Sequence, residues 1–153
     1  MSVRTTAAAY QEHNKCQKRL TDCKAPMLTR TCSVAQDLKA IESVLHSYQN
    51  ALSEASTEDV LALYAPDGVI MPQHSESGVG TEAIRKAYDK FFELIKFDVK
   101  FDIKEIVPTA PDWAFARTSS EGTTDVQGRG VGHEANQELF VFQKVGGDWK
   151  IAR

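Results

Sequence analysis

The sequence predicts an α+β fold, and two observations along its 153 residues carry this prediction. Between Val34 and Ile95 the apolar residues recur at every third or fourth position, which is the spacing of helices packed on a core. From Lys96 onwards the period of the apolar residues becomes two, which is typical of strands with one buried face. A run of helices followed by a run of strands indicates helices packed against an antiparallel sheet.

The first helix is predicted from Val34 to Glu54, with Ser33 as its N-cap. Its apolar stripe is formed by five residues at helical spacing, namely Leu38, Ile41, Leu45, Tyr48 and Leu52. A second helix is predicted to begin at Ser56–Asp59, because Ser-Thr-Glu-Asp is a helix-start pattern. It ends before residue 66, because Pro-Asp-Gly favours a turn.

A third helix is predicted with Thr81 as its N-cap, after a short strand over Val69–Met71 and a loop over Pro72–Gly80. Its apolar face contains Ile84, Tyr88, Phe91, Phe92 and Ile95. The sequence therefore predicts three helices before the main sheet.

Four strands are predicted in the second part of the chain. The first is marked by a strict alternation of charged residues with Phe97, Val99, Phe101 and Ile103. The other three are predicted over Trp113–Thr124, Glu134–Lys144 and Asp148–Arg153. Asp125–Gly132 contains three glycines and predicts a flexible connector, and Gly146-Gly147 predicts a tight hairpin.

Residues 1–33 differ from the rest of the chain in charge and in apolar content. They hold six basic and two acidic residues, whereas the remainder holds 12 basic and 19 acidic ones. We predict a flexible basic tail over residues 1–33, with a short helix near Ala7–Lys24, and one folded domain over residues 34–153. A transit peptide or a partner-binding segment is the alternative for the tail. This segment also contains the three cysteines, Cys16, Cys23 and Cys32. Their spacings match neither a zinc site nor a disulfide scaffold.

The composition excludes several classes of protein. Hydrophobic residues make up 42% and charged residues 25% of the chain, which is ordinary for a soluble globular protein. The net charge of -3 argues against a nucleic-acid partner, and no apolar run is long enough to span a membrane. The sequence lacks a phosphate-binding loop, a dinucleotide fingerprint and a metal-ligand spacing. We therefore expect no cofactor, no metal and a cytoplasmic location.

Three motifs resemble those of a known superfamily. They are Tyr-Ala-Pro-Asp-Gly-Val-Ile at 64–70, Asn-Gln-Glu-Leu-Phe at 136–140 and Gly-Gly-Asp-Trp-Lys-Ile at 146–151. With the order of the elements, they resemble the nuclear transport factor 2-like superfamily, and within it the SnoaL-like and ketosteroid isomerase-like proteins. The chain is also similar to the association domain of calcium/calmodulin-dependent protein kinase II. The resemblance covers residues 34–153 and implies a cystatin-like roll, a cone-shaped antiparallel sheet curved around helices, with one pocket and a sheet that often dimerises.

Alternate residues of the long strands are expected to line this pocket. Periodicity alone leaves both faces of each strand open, and the resemblance to the kinase association domain favours the faces with the larger residues. The predicted polar lining consists of Arg117, Ser119, Asn136 and Glu138. The predicted apolar wall consists of Tyr48, Met71, Tyr88, Phe115 and Phe140. The hydroxyls of its two tyrosines could reach into the cavity.

Glu138, Arg117 and His74 are the candidate catalytic residues. Glu138 is a candidate general acid–base and Arg117 a candidate anion holder. The alternative is a structural ion pair, because a glutamate and an arginine in one apolar cavity are expected to pair. The resemblance implies a catalytic aspartate just before the proline of the first strand, but Met71 stands there and cannot take a proton. His74 is a candidate base at the pocket mouth, and its alternative is an exposed loop residue.

Two functions fit the sequence. One is a small cofactor-free acid–base enzyme, of isomerase, dehydratase or cyclase type, acting on a hydrophobic oxygenated small molecule. The other is a non-catalytic module of the same fold that binds a small ligand or assembles as a dimer. We expect a homodimer, because the strand Glu134–Lys144 is apolar on both faces, with Leu139 and Val141 on one and Phe140 and Phe142 on the other.

Overall fold

Three helices precede the main sheet within residues 26–153, which are the residues that the computed structural model describes, with side chains described from Ser33. The helices are α1 (Pro26–Ser53), α2 (Thr57–Leu63) and α3 (Thr81–Leu94). The strands are β1 (Val69–Ile70), β2 (Gly78–Val79), β3 (Ile95–Ala110), β4 (Trp113–Val126), β5 (Gly130–Val145) and β6 (Asp148–Ile151). This order, with helices packed on one face of a curved antiparallel sheet, confirms the predicted α+β cone.

The chain divides into two units, Met1–Lys39 and Ala40–Arg153, and the second contains the whole sheet. α1 already runs as a helix at Pro26, so the prediction that Ser33 caps this helix is wrong. A proline is tolerated in the first turn of a helix because its missing N–H needs no partner there. The short helix predicted near Ala7–Lys24 lies outside the described residues.

The starts of α2 and α3 follow from local chemistry. The side chain of Ser56 accepts a hydrogen bond of 3.3 Å from the backbone N–H of Asp59, which is the N-cap geometry expected from Ser-Thr-Glu-Asp. Gly80, and not Thr81, takes the N-cap position of α3, with a φ of 78° that favours glycine. α3 then passes directly into β3.

Strands β3, β4, β5 and β6 form one antiparallel sheet in that order. Residues that pair directly share a face, so pairing across three strands sets side chains in rows. The rows of the inner face include Ile106–Ala116–Phe140, Ile103–Thr118–Glu138, Phe101–Ser120–Asn136 and Val99–Gly122–Glu134. The core lies between this face and the helices, and its largest fully buried side chains are Tyr88, Phe142, Ile41, Leu45, Ile84, Ile151 and Val60.

Gly122 lies where the backbone of β3 leaves no room for a side chain on β4. A Cβ atom at Gly122 would lie 2.1 Å from the backbone oxygen of Asp98 and 2.7 Å from Cα of Val99. A glycine inside a strand is typical of such a close backbone approach. It also leaves the inner row between Val99 and Glu134 without a central side chain.

The segment after α2 is hydrogen-bonded to the end of the chain's last strand. The N–H of Ala65 donates to the carbonyl of Ile151, and the N–H of Val69 donates to the carbonyl of Ala152, both at 2.9 Å. β1 then pairs with β2, which lies inside the segment predicted as a loop. These bonds hold the start of β1 beside the C-terminal end of β6.

Two hairpins join the long strands. Gly146 and Gly147, with φ of 62° and 101°, form the tight turn predicted between β5 and β6. Only Gln127–Arg129 separates β4 from β5, so the predicted connector Asp125–Gly132 is shorter than expected. Both strands continue into that segment because they pair with each other as far as Val126 and Gly130.

Candidate active site

A cavity of about 560 Å³ opens on the inner face of the sheet, between β3, β4 and β5 on one side and α1 and α3 on the other. Its volume lies within the range of small-molecule pockets, roughly 300–1,000 Å³. The side chains that line it are Tyr48, Leu52, Ile70, Met71, Pro72, Gln73, Tyr88, Phe91, Phe97, Val99, Phe101, Ser120, Thr124, Glu134, Asn136, Gln137, Glu138 and Phe140. Most are apolar or aromatic, and the polar groups come chiefly from β4 and β5.

The carboxylate of Glu138 is held by two hydroxyl groups of β4. Thr118 Oγ1 donates a hydrogen bond of 2.6 Å to one carboxylate oxygen, and Ser120 Oγ donates to the other. The register explains both bonds, since Thr118 faces Glu138 directly and Ser120 faces the next inner residue of β5. A carboxylate has about four lone-pair sites, so each oxygen keeps one site for a ligand.

Three tyrosine hydroxyls form a chain beside the cavity. Tyr48 Oη lies 2.7 Å from Tyr88 Oη, which in turn lies 3.3 Å from Tyr64 Oη. Tyr48 belongs to α1, Tyr88 to α3, and Tyr64 directly follows α2, so the chain joins three helical segments. Each hydroxyl has one proton to donate. A chain directed from Tyr64 through Tyr88 to Tyr48 therefore leaves the proton of Tyr48 for a ligand.

Burial raises the pKa of Tyr48, Tyr64 and Tyr88 above the ordinary value of 10.0. Desolvation is the largest cause for each, because a phenolate would be a charge in an apolar environment. Repulsion from Tyr64 when that side chain is ionised, and from the Glu138 carboxylate, raises the pKa of Tyr48 further, while its hydrogen bond with Tyr88 lowers it. The three tyrosines are therefore protonated at neutral pH and can donate hydrogen bonds.

Aromatic rings border the space between Tyr48 and Glu138. The Tyr48 ring lies edge-on to Phe140, with centroids 5.5 Å apart, and is tilted against Phe101 at 5.8 Å. Phe140 and Glu138 are successive inner residues of β5, and Phe101 lies in the row beyond. The hydroxyl chain and the carboxylate thus face one largely apolar cavity.

The structure places six of the predicted site residues at this cavity, namely Tyr48, Met71, Tyr88, Asn136, Glu138 and Phe140. Met71 is 63% exposed, so it lies at the mouth and not deep in the wall. Pro72 and Gln73 continue this rim after β1. His74, one residue further, is an exposed loop residue with a φ of 59° and does not line the cavity, which corrects its assignment as a base at the mouth.

Arg117, Phe115 and Ser119 lie on the outer face of the sheet, so the prediction that they line the cavity is wrong. Arg117 pairs with Leu139 in the register and therefore faces away from Glu138. Its Nε donates a hydrogen bond of 2.9 Å to Glu105, also on the outer face. The predicted ion pair between Arg117 and Glu138 is therefore not formed.

The inner face of β4 is made of small residues, and this is the physical reason for the correction. They are Ala114, Ala116, Thr118, Ser120, Gly122 and Thr124. Rings from α1 and α3 fill the concave side of the sheet, so the middle strand has no room for bulky side chains there. The larger residues of β4 point outward instead.

Several residues of the site were not predicted from the sequence, among them Thr118, Ser120, Glu134 and Tyr64. The signal for the first two was the alternation of small residues along β4, which is typical of a concave face under helices. Glu134 was signalled by its separation of four residues from Glu138, which puts both on one face of a strand. Nothing in the local sequence around Tyr64 indicates that its hydroxyl meets that of Tyr88.

A second recess, of about 390 Å³, lies on the outer face around Lys100, Asp102, Lys104 and Glu121. Its charged side chains are of both signs, and Lys104 pairs with Asp102. It lacks the aromatic enclosure of the inner cavity. Within residues 26–153, no group of His, Cys, Asp and Glu is arranged to hold a metal ion, and no helix has the length and apolarity that a bilayer crossing demands.

The fold and the cavity define a class of protein, the small α+β cones of the nuclear transport factor 2-like superfamily. Within that class, the chain belongs to the SnoaL-like domain family, which matches residues 44–152. This confirms the resemblance seen in the sequence. No curated protein matches the chain.

Several solved structures are similar to this chain. A ketosteroid isomerase-like protein from Erwinia carotovora atroseptica is 38% identical, with a TM-score of 0.73 over 76% of this chain and 92% of that protein. A provisional scytalone dehydratase from Novosphingobium aromaticivorans is 20% identical, with a TM-score of 0.69 over 80% of this chain and 84% of that one. A protein with a cystatin-like fold from Nostoc punctiforme is 16% identical, with a TM-score of 0.63 over 77% and 87% of the two chains. The last two show the shared fold alone.

Proposed function

We propose that the protein is a small acid–base enzyme that needs no cofactor, of isomerase, dehydratase or cyclase type, and that its substrate is a hydrophobic oxygenated molecule. The observation that carries the proposal is the placing of the Glu138 carboxylate and the Tyr48–Tyr88 hydroxyl pair on the walls of one apolar cavity. Its similarity to a ketosteroid isomerase-like protein at 38% identity supports the same class of chemistry.

Glu138 is the proton acceptor in this proposal. Thr118 and Ser120 fix the orientation of its carboxylate, while leaving a lone pair on each oxygen for a substrate C–H or O–H. Because the carboxylate is already held in place, the reaction does not have to pay the entropy of orienting the base. This lowers the barrier to proton transfer. Met71 takes no part in proton transfer.

Tyr48 is the hydrogen-bond donor to the substrate oxygen. When Glu138 takes a proton from the carbon beside a carbonyl, negative charge develops on the carbonyl oxygen. A neutral phenol donor in a water-poor cavity stabilises that charge as it forms. Tyr88 and Tyr64 support the donor, because each hydroxyl in the chain polarises the next.

The reaction type then depends on the atom to which Glu138 delivers this proton. Returned to a different carbon of the enolate, it completes an isomerisation in which no atom is gained or lost. Delivered to a hydroxyl group beta to the carbonyl, it releases water and completes a dehydration. Both outcomes use the same two groups, Glu138 and Tyr48.

The proposal is tested with Glu138→Gln, and Glu121→Gln on the outer face is the matched control. The measurement uses NMR in heavy water to follow hydrogen exchange at the carbon beside the carbonyl of bound cyclic ketones. We expect Glu138→Gln to abolish this exchange. Tyr48→Phe should slow this exchange by about 10²–10³-fold, the usual cost of one donor to a developing oxyanion. Exchange at the wild-type rate in Glu138→Gln would sink the proposal.

The second candidate is a non-catalytic module that binds a small ligand and assembles as a homodimer. The outer face of the sheet favours it, because Val107, Phe115 and Val141 form one apolar row and Leu139, 62% exposed, lies next to them. Exposed apolar patches on a sheet are typical of interfaces between proteins. We propose that a second copy of the chain covers this patch, whichever function the cavity has.

A single measurement separates the two candidates. An enzyme turns over or exchanges a bound ketone, whereas a binding module binds it with full retention of its hydrogens. If ligand binding in the cavity survives Glu138→Gln and no exchange is seen in the unmodified protein, the binding module is favoured.

A further inference from the structure

Among the residues that the structure describes, those lining the inner cavity include acidic groups and no basic ones. Glu134 and Glu138 line it, and none of the lining residues is a lysine, arginine or histidine. Two basic residues of the sheet pair with acids outside the cavity, Arg117 with Glu105 and Lys104 with Asp102.

The two carboxylates are set apart along one strand. Glu134 and Glu138 are separated by four residues on the inner face of β5, which corresponds to about 13 Å at the usual rise of a strand. Asn136 stands between them. The cavity therefore has one carboxylate near the tyrosine hydroxyls and a second towards the exposed end of β5.

Glu134 lies one row from Phe97 on the inner face of the sheet. The row Val99–Gly122–Glu134 has no side chain at its centre, and the next row begins with Phe97, which also lines the cavity. A cation bound at this end of the cavity would have the Glu134 carboxylate and the Phe97 ring among its neighbours. Carboxylates and aromatic faces both attract cations.

We propose that the ligand of this cavity carries a protonated amine on a hydrophobic, oxygenated body, with the amine bound near Glu134 and the oxygen near Tyr48. The inference rests on the proposed function in taking the inner cavity as the substrate site. An anionic ligand, such as a carboxylic acid or a phosphate ester, meets like charge at Glu134 and Glu138 and finds no compensating cation among the described lining residues. The geometry assigns the charge of the substrate, which the chemistry at Glu138 alone does not.

Three probes with one aromatic body test the proposal: naphthylethylamine, naphthylethanol and naphthylacetate. Their affinities for the full chain are measured by isothermal titration at low ionic strength. We expect the amine to bind on the order of tenfold more tightly than the alcohol, and the acid more weakly than both. Added salt should reduce the preference for the amine, since the pair with Glu134 is partly exposed to solvent.

Two variants test whether Glu134 causes the preference for the amine. Glu134→Gln should reduce the preference for the amine several-fold without loss of folding, because Glu134 is exposed at the cavity mouth. Glu121→Gln, an exposed acid on the opposite face, should leave the preference unchanged. Equal binding of amine and alcohol, tighter binding of the acid, or an amine preference that survives in Glu134→Gln would overturn the inference.

The outcome is independent of the proposed chemistry. Selectivity for the amine is measured by binding and needs no turnover, whereas the acid–base function is measured by hydrogen exchange that depends on Glu138. Amine selectivity without exchange would refute the enzyme and retain the inference. Exchange without amine selectivity would do the reverse.

Discussion

Thr118 donates a hydrogen bond of 2.6 Å to Glu138, its direct partner in the β4–β5 register. The donor is 1% exposed, so the bond lies at the boundary between the packed core and the cavity. A residue of the cavity wall is thereby fixed by a residue of the core.

Thr118→Val should lower the free energy of unfolding by about 1–2 kcal/mol, because it keeps the shape of the side chain and removes one donor to a carboxylate. Urea denaturation measures the change. Thr123→Val, at an exposed position of the same strand, is the control and should stay within about 0.5 kcal/mol of the unmodified protein. Equal effects of the two substitutions would mean that the bond to Glu138 contributes nothing to stability.

Tyr88→Phe should destabilise the protein more than Tyr64→Phe. The hydroxyl of Tyr88 is the middle of the chain and bonds both neighbours, whereas that of Tyr64 has only the longer contact of 3.3 Å. At about 1 kcal/mol for each bond, the difference should be of that size in equilibrium unfolding. A larger loss in Tyr64→Phe would show that the chain is not organised around Tyr88.

Stability should fall as the pH rises above about 10, because burial raises the pKa of Tyr48, Tyr64 and Tyr88 in the folded state. Above the ordinary pKa of a tyrosine, the unfolded chain releases these protons and the folded chain retains them. The stabilisation is therefore complete below that pH and is lost above it. Unfolding free energies measured across this range should decline less steeply in Tyr48→Phe.

Gly122→Ala should destabilise the protein by about 3 kcal/mol or prevent folding, since the new Cβ would overlap the backbone of β3. Gly132→Ala on β5 is the matched control, because a Cβ there meets nothing within 4 Å. Thermal melting of both variants checks the prediction. A stable Gly122→Ala would require β3 and β4 to separate without cost.

Leu139→Lys should convert the proposed homodimer to a monomer, because it places a charge in the apolar patch of the outer face. Light scattering at micromolar concentration gives the mass. Val79→Lys is the control, as Val79 is 66% exposed but lies on β2, away from the patch. A monomeric mass for the unmodified protein would refute the dimer itself.

The elements of the fold are largely predictable from the sequence because their periods are strong. The alternation at Phe97–Ile103 and the stripe from Ile84 to Ile95 each specify one structure and one buried face. β4 has no such contrast, because both of its faces mix apolar and polar residues. Its inner face is set by pairing with Glu138 and Phe140 on β5, and strand pairing is a property of the folded sheet.

Within the sheet, the site was therefore predictable on β5 and not on β4. Asn136, Glu138 and Phe140 face the cavity as the alternation on β5 indicates, while choosing the larger residues of β4 selected its outer face. Bulk predicts burial on a flat sheet, but the concave side of a curved sheet is filled by rings that belong to the helices. The hydroxyl chain joins residues far apart in sequence, and no local pattern encodes such a meeting.

The hydrogen bonds from Ala65 and Val69 to Ile151 and Ala152 have a kinetic consequence. They join segments separated by most of the domain, and loops of that length close late because their closure costs conformational entropy before any contact is gained. Tyr64 lies next to these bonds, so its hydroxyl reaches its place beside Tyr88 only after the segment at Ala65–Val69 has met the end of β6. Refolding followed by tyrosine fluorescence should therefore show the tyrosine cluster forming after the β3–β5 hairpins, with the cavity among the last parts of the molecule to become native.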